Sequence, residues 1–199
     1  MDGFRSSRVR RETSQTLVDV ELTLEGSGRF MIESPVGFLT HMIESFARHG
    51  RFDINLAAQG DLDVDQHHTV EDTGAALGAA FDKALDNRLG INRAGFFIFP
   101  MDEAVAFVSV DIGRRAYLKY DVKFASEKIG ELQAELLHDF FLAFCQELKC
   151  NLHIVVPYGR NDHHRAEAVF KAWGKAMRMA CSRDPRDVQD MPGTTKGLL

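Results

Sequence analysis

DQHHTVE, residues Asp65–Glu71, is matched near the other end of the chain by NDHHRAE, residues Asn161–Glu167. Each copy contains HHxxE and opens a stretch whose apolar spacing is typical of a helix. One HHxxE is a weak motif, but two are expected by chance in roughly one of several thousand chains with this His and Glu content. The pair therefore indicates an internal duplication.

The segments that flank the two motifs predict a similar succession of elements in each half. In the first half we expect a strand at 16–24 that forms a hairpin with a strand at 30–33, a helix from Pro35 to Gly50, a strand at 52–57 and a helix from His67 to about Leu89. In the second half we expect strands at 95–99, 104–111 and 116–124, a helix at 130–148, a strand at 152–156 and a helix at 162–181. The order ββαβα followed by βββαβα predicts two half-repeats, 1–90 and 91–199, in one compact unit.

The composition is typical of a folded globular chain. It has 199 residues, of which 24 are basic and 29 acidic, with a net charge of −5 and 45% apolar residues. The basic residues form no stripe, which argues against a nucleic-acid surface. No run of about eighteen apolar residues occurs and the start is polar, so we expect neither a membrane span nor a signal peptide. Three cysteines without a CxxC pair favour a cytoplasmic location.

The spacing within each motif suits metal ions. Residues i and i+4 share one face of a helix, so the first His and the Glu of each motif can hold one ion. The second His, His68 or His164, points about 100° away and can bind another ion. Imidazole and carboxylate donors without thiolate favour Mn, Fe, Co, Ni or Zn at an open site. We therefore expect two metals, each completed by residues from elsewhere in the sequence.

Each motif also has a histidine upstream, inside the preceding predicted helix. His41 lies 26 residues before His67, and His138 lies 25 residues before His163. The repeat therefore favours His138 as the counterpart of His41.

With these motifs the chain resembles the imidazoleglycerol-phosphate dehydratase family. The resemblance covers nearly the whole sequence and rests on GFLTHMIESFARHGRFDI, GDLDVDQHHTVEDTGAALG, RAGFFIFPMDEA, GRNDHHRAEAVFKAWGKAMR and PGTTKGLL. It implies an α+β fold of the ribosomal S5 domain 2-like type, with two duplicated α/β halves that pack four helices between two four-stranded sheets. It also implies two Mn ions per active site, trimers that assemble into a 24-mer, and active sites between subunits. The implied reaction of histidine biosynthesis removes water from D-erythro-imidazole-glycerol phosphate to give imidazole-acetol phosphate.

The resemblance assigns site residues as well. Its metal positions fall on His41, His67, His68, Glu71, His163, His164 and Glu167, and the internal repeat adds His138 as the eighth predicted ligand. Its substrate positions fall on Gln15, His41, His49, His67, His68, Glu71, Arg93, Arg115, His163, His164, Glu167, Lys171, Thr194, Thr195 and Lys196. Relatives have either EHFF or HEFF where this chain has HDFF, so the ligand could be His138 or Asp139. Alignment to EHFF favours Asp139, but we predict His138, because the repeat favours it and its imidazole matches that of His41.

The implied mechanism gives these residues roles. An imidazole ring bridged between two metals as imidazolate is an electron sink, and Glu71 or Glu167 can carry the proton. Gln15 stands where the family usually has Glu, and because an amide does not titrate we expect it to position substrate. We expect the substrate phosphate to be bound by Arg93, Arg115 and Lys196. A binuclear metal hydrolase and a non-catalytic metal-binding assembly protein remain alternatives; no nucleic-acid or membrane partner is expected.

Overall fold

Within residues 4–184, the part that the computed structural model describes, the chain folds as two successive βββαβα units, the second of which has an additional short hairpin, β8–β9, before its first helix. The first unit contains β1 Ser6–Glu12, β2 Thr16–Thr23, β3 Phe30–Glu33, α1 Gly37–Gly50, β4 Asp53–Gly60 and α2 His67–Leu85. The second unit contains β5 Ala94–Met101, β6 Ala104–Asp111, β7 Tyr117–Asp121, β8 Lys128–Ile129, β9 Leu132–Gln133, α3 Leu136–Leu148, β10 Asn151–Tyr158 and α4 Asp162–Cys181.

Each unit builds a four-stranded sheet, and the two sheets share one topology. Their strand orders are β1-β2-β4-β3 and β5-β6-β10-β7. In each sheet the last strand in sequence lies between an antiparallel neighbour and a parallel edge strand. Strand β4 lies between β2 and β3, and β10 lies between β6 and β7. Helices α1 and α2 contact the first sheet, and α3 and α4 contact the second. The expected α+β architecture of two duplicated halves, with four helices and two four-stranded sheets, is confirmed.

Strand β1 was not predicted, and the predicted hairpin is wrong. The sequence of β1, SSRVRRE, has Val9 as its one apolar residue, so period-two alternation gives no signal there. With β1 on one side of β2 and β4 on the other, β2 has no free edge, and β3 pairs with β4 instead. The connection from β2 to β3 is tied down by Asp53, whose carboxylate accepts hydrogen bonds from the backbone N–H groups of Ser27, Gly28 and Arg29.

Two helix boundaries also differ from the prediction. Helix α2 ends at Leu85 rather than near Leu89, because Asp86 takes a positive φ of 49°. Helix α3 begins at Leu136 rather than 130, because 128–133 form the short β8–β9 hairpin around Gly130, which has a φ of 61°. Helices α1 and α4 lie where the sequence predicts them.

The core lies between the sheets, where the helices cross in pairs. Helix α2 packs against α3, and α1 packs against α4. Close approach requires glycine at both crossings: a Cβ on Gly78 would lie 2.5 Å from the Phe144 carbonyl oxygen, and one on Gly174 would lie 2.6 Å from that of Phe46. The Phe46 ring stacks on Trp173 with centroids 3.8 Å apart. Each pair joins one helix from each half, so the halves share one core.

Among the described residues, no helix combines the length and apolar content needed to cross a membrane.

Candidate metal centre

Three donor side chains meet where α1 packs against α4, and we name them the α1/α4 group: His41, His163 and Glu167. Each offers one ligand atom, and these atoms lie within 4.8 Å of one another. The Nε2 atom of His163 lies 3.3 Å from a Glu167 oxygen, as the i, i+4 spacing predicts. Two imidazoles and one carboxylate at this spacing suit a divalent transition-metal ion.

Glu167 is held as an anion inside this group. It is only 9% exposed, and Lys171, one turn later, forms an ion pair with it at 2.9 Å. Burial alone would raise the pKa of Glu167, but the hydrogen bond from Lys171 and the nearby positive charge lower the pKa below its ordinary value. An ionised carboxylate is the form that binds a metal ion.

A second group lies where α2 packs against α3, and we name it the α2/α3 group: His67, Glu71 and Asp139. His67 lies 3.7 Å from a Glu71 oxygen through Nε2 and 3.8 Å from an Asp139 oxygen through Nδ1. The Nδ1 atom of His138 lies 3.1 Å from the other Asp139 oxygen, and the His138 ring packs edge-on against Tyr120. The structure thus brings Asp139 against the first motif and places His138 beside Asp139.

The two groups are crossed between the halves. His41 comes from the first half but contacts the motif of the second. Asp139 comes from the second half but contacts the motif of the first. The crossing follows from the helix pairs, because α1 packs on α4 and α2 packs on α3. Each motif is therefore completed by a residue distant in sequence.

A polar side chain fixes the start of each motif helix. The Asn161 side chain accepts hydrogen bonds from the backbone N–H groups of His163 and His164, at 2.9 Å and 3.4 Å. The Asp65 carboxylate accepts one from the N–H of His67 at 2.7 Å. Because such bonds satisfy N–H groups that the first turn leaves unpaired, they hold the histidine backbone in a fixed position.

The second histidine of each motif faces a carboxylate outside its group. His68 Nδ1 lies 3.3 Å from Asp61, and His164 lies 2.8 Å from Glu103 and 3.7 Å from Asp102. The hydrogen bond with His164, followed by bonds from backbone N–H groups, lowers the pKa of Glu103 to about 2. Asp102, Glu103 and His164 also offer three ligand atoms within 4.8 Å of one another.

These three carboxylates were missed by the sequence interpretation. Asp61 lies seven residues before His68 in the loop that leads into α2. This short separation in sequence could have identified Asp61 as a neighbour of His68. Glu103 lies 61 residues before His164, on the turn between β5 and β6. No local spacing connects those two positions, and only the fold brings them together.

The predicted substrate residues outside the motifs lie on turns and loops. Gln15 is exposed between β1 and β2, where its backbone N–H donates to the Thr13 hydroxyl oxygen. Arg93, just before β5, takes a φ of 67° and pairs with Asp111 at 2.6 Å. Arg115 is exposed between β6 and β7. The predicted tail residues Thr194, Thr195 and Lys196 lie outside the described residues.

His49 and Lys171 lie together beside the α1/α4 group. Burial, followed by the charges of Lys171 and Lys175, lowers the pKa of His49. The His49 ring packs edge-on against Phe99 with centroids 5.2 Å apart, and the Lys171 ammonium lies 5.6 Å from the centre of the same ring. With Lys171 paired to Glu167, Lys175 leaves this region with one net positive charge, which favours an anionic ligand.

Known proteins are similar to this chain in sequence and in fold. Residues 34–177 match the family model described as imidazoleglycerol-phosphate dehydratase. The imidazoleglycerol-phosphate dehydratase of Koribacter versatilis is 47% identical over 98% of this chain and 100% of the relative. That of Gluconacetobacter diazotrophicus is 46% identical over 100% of both. The crystal structure of the Staphylococcus aureus imidazoleglycerol-phosphate dehydratase matches with a TM-score of 0.81 and 31% identity, over 90% of this chain and 99% of that one.

The residues matched by the family model include every member of the two donor groups: His41, His67, Glu71, Asp139, His163 and Glu167. Full-length similarity and the same fold accompany that match. The chain therefore belongs to the imidazoleglycerol-phosphate dehydratase family, whose members are hydro-lyases.

Proposed function

We propose that this chain removes water from D-erythro-imidazole-glycerol phosphate to give imidazole-acetol phosphate in histidine biosynthesis, and that the reaction depends on two Mn ions per active site. The observation that carries the proposal is the pair of crossed donor groups in a chain of this family. Other divalent transition metals fit the same donors.

The donor types of both groups suit divalent ions, and in the α1/α4 group the three ligand atoms also lie within 4.8 Å of one another. Both groups combine imidazole nitrogen with carboxylate oxygen, and neither contains a thiolate. His41, His163 and Glu167 would hold one ion. His67, Glu71 and a ligand on α3, His138 or Asp139, would hold the other. When bound, such ions supply Lewis acidity to the substrate's imidazole ring and so make the neighbouring hydroxyl easier to expel.

A carboxylate of the motifs would carry the proton. Glu71 and Glu167 are both within reach of a histidine of their own motif, at 3.7 Å and 3.3 Å. The Glu167 side chain is 12% exposed and paired with Lys171 at 2.9 Å, which fixes it as a ligand, whereas the Glu71 side chain is 49% exposed and open to substrate. We therefore assign proton transfer to Glu71, with Gln15 positioning the substrate through its amide.

The cations would bind the substrate phosphate. Arg93 is held by Asp111 with its Nε atom 2.6 Å from a carboxylate oxygen, which orients its guanidinium. Lys171 and His49 supply positive charge and a hydrogen-bonding ring beside the α1/α4 group. Arg115 and the tail residues Thr194, Thr195 and Lys196 would complete the phosphate site.

We further propose self-association into trimers and a 24-mer, with active sites between subunits. The outer face of the second sheet supports this, because Phe96, Ile98 and Phe107 are 65%, 56% and 42% exposed there. At cross-strand positions of the first sheet the outer face carries charges, such as Arg8 opposite Glu21. An apolar sheet face of this kind favours burial against another copy of the chain. His68 and His164, which face away from their own groups, would then be available to sites on neighbouring subunits.

We propose a cytoplasmic location for this assembly. Cys145, Cys150 and Cys181 are free and buried, which is the state expected in a reducing compartment. The proposed partners are the small phosphate substrate and further copies of the chain, with no nucleic acid and no membrane.

A product assay tests the proposed reaction. Purified, Mn-loaded protein is incubated with D-erythro-imidazole-glycerol phosphate, and the products are identified by mass spectrometry. We expect a phosphorylated product that has lost one water. Release of inorganic phosphate would favour the binuclear hydrolase, and an unchanged substrate would favour the non-catalytic metal-binding protein.

A further inference from the structure

Glu103 holds the connection that leads from β10 into α4. Its Oε1 atom accepts hydrogen bonds from the backbone N–H groups of Arg160 and Asn161, at 3.0 Å and 2.7 Å. From within α4, Arg165 donates through Nε to the carbonyl oxygen of Gly159 at 3.0 Å. Because bonds to an ionised carboxylate are stronger than those between neutral groups, Glu103 fixes this connection in one position.

The same carboxylate reaches the second motif through its other oxygen. The Oε2 atom of Glu103 lies 2.8 Å from Nδ1 of His164. Asn161, whose backbone N–H donates to Glu103, also accepts the N–H groups of His163 and His164 with its side chain. One side chain on the β5–β6 turn thus fixes both the backbone at the start of α4 and the ring of the second histidine.

The contact with Glu103 selects one tautomer of His164. A carboxylate can only accept a hydrogen bond, so the ring carries its proton on Nδ1 and its free lone pair on Nε2. A neutral imidazole binds a metal ion through the nitrogen that has no proton. The Nε2 atom lies 3.7 Å from an oxygen of the exposed Asp102, which is too far for a hydrogen bond. His164 therefore presents Nε2 as its ligand atom.

The second histidine of the first motif is held less closely. Nδ1 of His68 lies 3.3 Å from each oxygen of Asp61, which belongs to the loop before α2. In the first half, the turn that corresponds to that of Glu103 joins β1 and β2 and carries the exposed Gln15. In the second half, the acid of this turn is instead bound to the motif.

We propose that Glu103 is a positioning residue of the metal centre, which keeps the proton of His164 on Nδ1 so that Nε2 can bind the metal ion. The inference rests on the proposed metal dependence and deepens it. Loss of a partner that orients a metal-binding histidine costs about 10- to 100-fold in metal affinity. The proposal also gives the segment RAGFFIFPMDEA, which contains Glu103, a role at the site.

Glu103→Gln is the sharpest variant, because Gln has nearly the shape of Glu. Its amide oxygen can still accept the N–H groups of Arg160 and Asn161, but its NH2 group then faces His164 and donates to Nδ1. The proton of the ring must therefore move to Nε2, the atom that should bind the ion. We expect the Mn²⁺ affinity of one site to fall about 10- to 100-fold, while the thermal midpoint of the metal-free protein stays near that of the parent.

Solid-state nitrogen NMR of the metal-free full chain, prepared with isotope-labelled histidine, reports the tautomer directly. Spectra are recorded at mildly alkaline pH, and the His164 signals are identified by their loss in His164→Ala. We expect a protonated Nδ1 in the parent and a protonated Nε2 in Glu103→Gln. The matched control is Glu33→Gln, which removes an exposed carboxylate at the end of β3 and should keep both the tautomer and the Mn²⁺ affinity of the parent.

Two results would overturn the inference. One is a proton on Nε2 of His164 in the parent, which needs no variant to be observed. The other is a Glu103→Gln protein with the tautomer or the Mn²⁺ affinity of the parent, since a role in holding the loop alone would leave both unchanged. All of these measurements are made without substrate, so a failed product assay would reject the proposed reaction and leave the role of Glu103 standing.

Discussion

The imidazole rings of His41 and His163 lie 5.5 Å apart, centroid to centroid, although the two residues belong to different halves of the chain. His41 is carried by α1 and His163 by α4, and these helices also share the Phe46–Trp173 stack in the core. An ion held by both histidines would therefore cross-link the halves at one end of this helix pair. Because the unfolded chain has no preformed site, metal binding contributes directly to the stability of the fold.

We predict that His41→Ala reduces stabilisation by Mn²⁺. An ion at 100 times its dissociation constant adds about 2.7 kcal/mol of stability, provided that only the folded chain binds it. The thermal midpoint should therefore rise with Mn²⁺ in the parent protein and rise less in His41→Ala. His153→Ala, at an exposed histidine on β10, is the control. An equal rise in His41→Ala and the parent would contradict the role of His41 as a ligand.

Chelation should dissociate the particle as well as inactivate it. If His68 and His164 serve sites on neighbouring subunits, metal binding forms part of the association free energy. Light scattering after treatment with a chelator should show a smaller species, and added Mn²⁺ should restore the large one. A particle of unchanged size after verified metal removal would contradict the assembly part of this prediction.

Asp53 should make the fold sensitive to acid. Burial alone would raise its pKa, but hydrogen bonds from the backbone and guanidinium of Arg29 and from the N–H of Ser27 lower the pKa from 3.8 to about 2. Since the folded chain favours the ionised form, the stabilisation is complete above pH 3.8 and is lost as the pH falls toward 2. Asp53→Asn should therefore be less stable in urea at pH 7 and should lose less stability on acidification.

The control for Asp53 is Asp63→Asn, at an exposed position in the loop before α2. It should match the parent in urea at both pH values. Parent-like stability of Asp53→Asn at pH 7 would show that the Ser27–Arg29 connection does not depend on this carboxylate.

Gln15→Glu should leave activity within about tenfold of the parent, which corresponds to about 1.4 kcal/mol in the barrier. The reason is that Gln15 is exposed on the β1–β2 turn and its amide can position substrate but cannot transfer a proton. Steady-state kinetics of both proteins measures this. A gain of several orders of magnitude in Gln15→Glu would show that an acid or base is needed at this position.

The sequence predicts the duplication, the fold class and the motif helices well because these depend on local periodicity and on an exact repeat of HHxxE. It does not predict β1, since Ser and Arg occupy five of its seven positions. It also does not predict that β3 pairs with β4, because that choice depends on which strand edges remain free in the complete sheet.

The sequence likewise predicts only part of the candidate site. The i, i+4 partners within each motif follow from helix geometry, and the structure shows both contacts. The partner that each motif finds on the helix packed against it depends on non-local contacts. The sequence does not distinguish His138 from Asp139, and the structure does, because Asp139 faces His67 and His138 lies beside Asp139.

The most direct measurement is a titration of metal-free protein with Mn²⁺ in which bound metal and the rate of imidazole-acetol phosphate formation are followed together. Our account predicts no turnover without metal and a rate that rises with bound Mn²⁺ until two ions are bound per chain. Full activity in the metal-free protein, or no conversion of D-erythro-imidazole-glycerol phosphate with both sites filled, would contradict it.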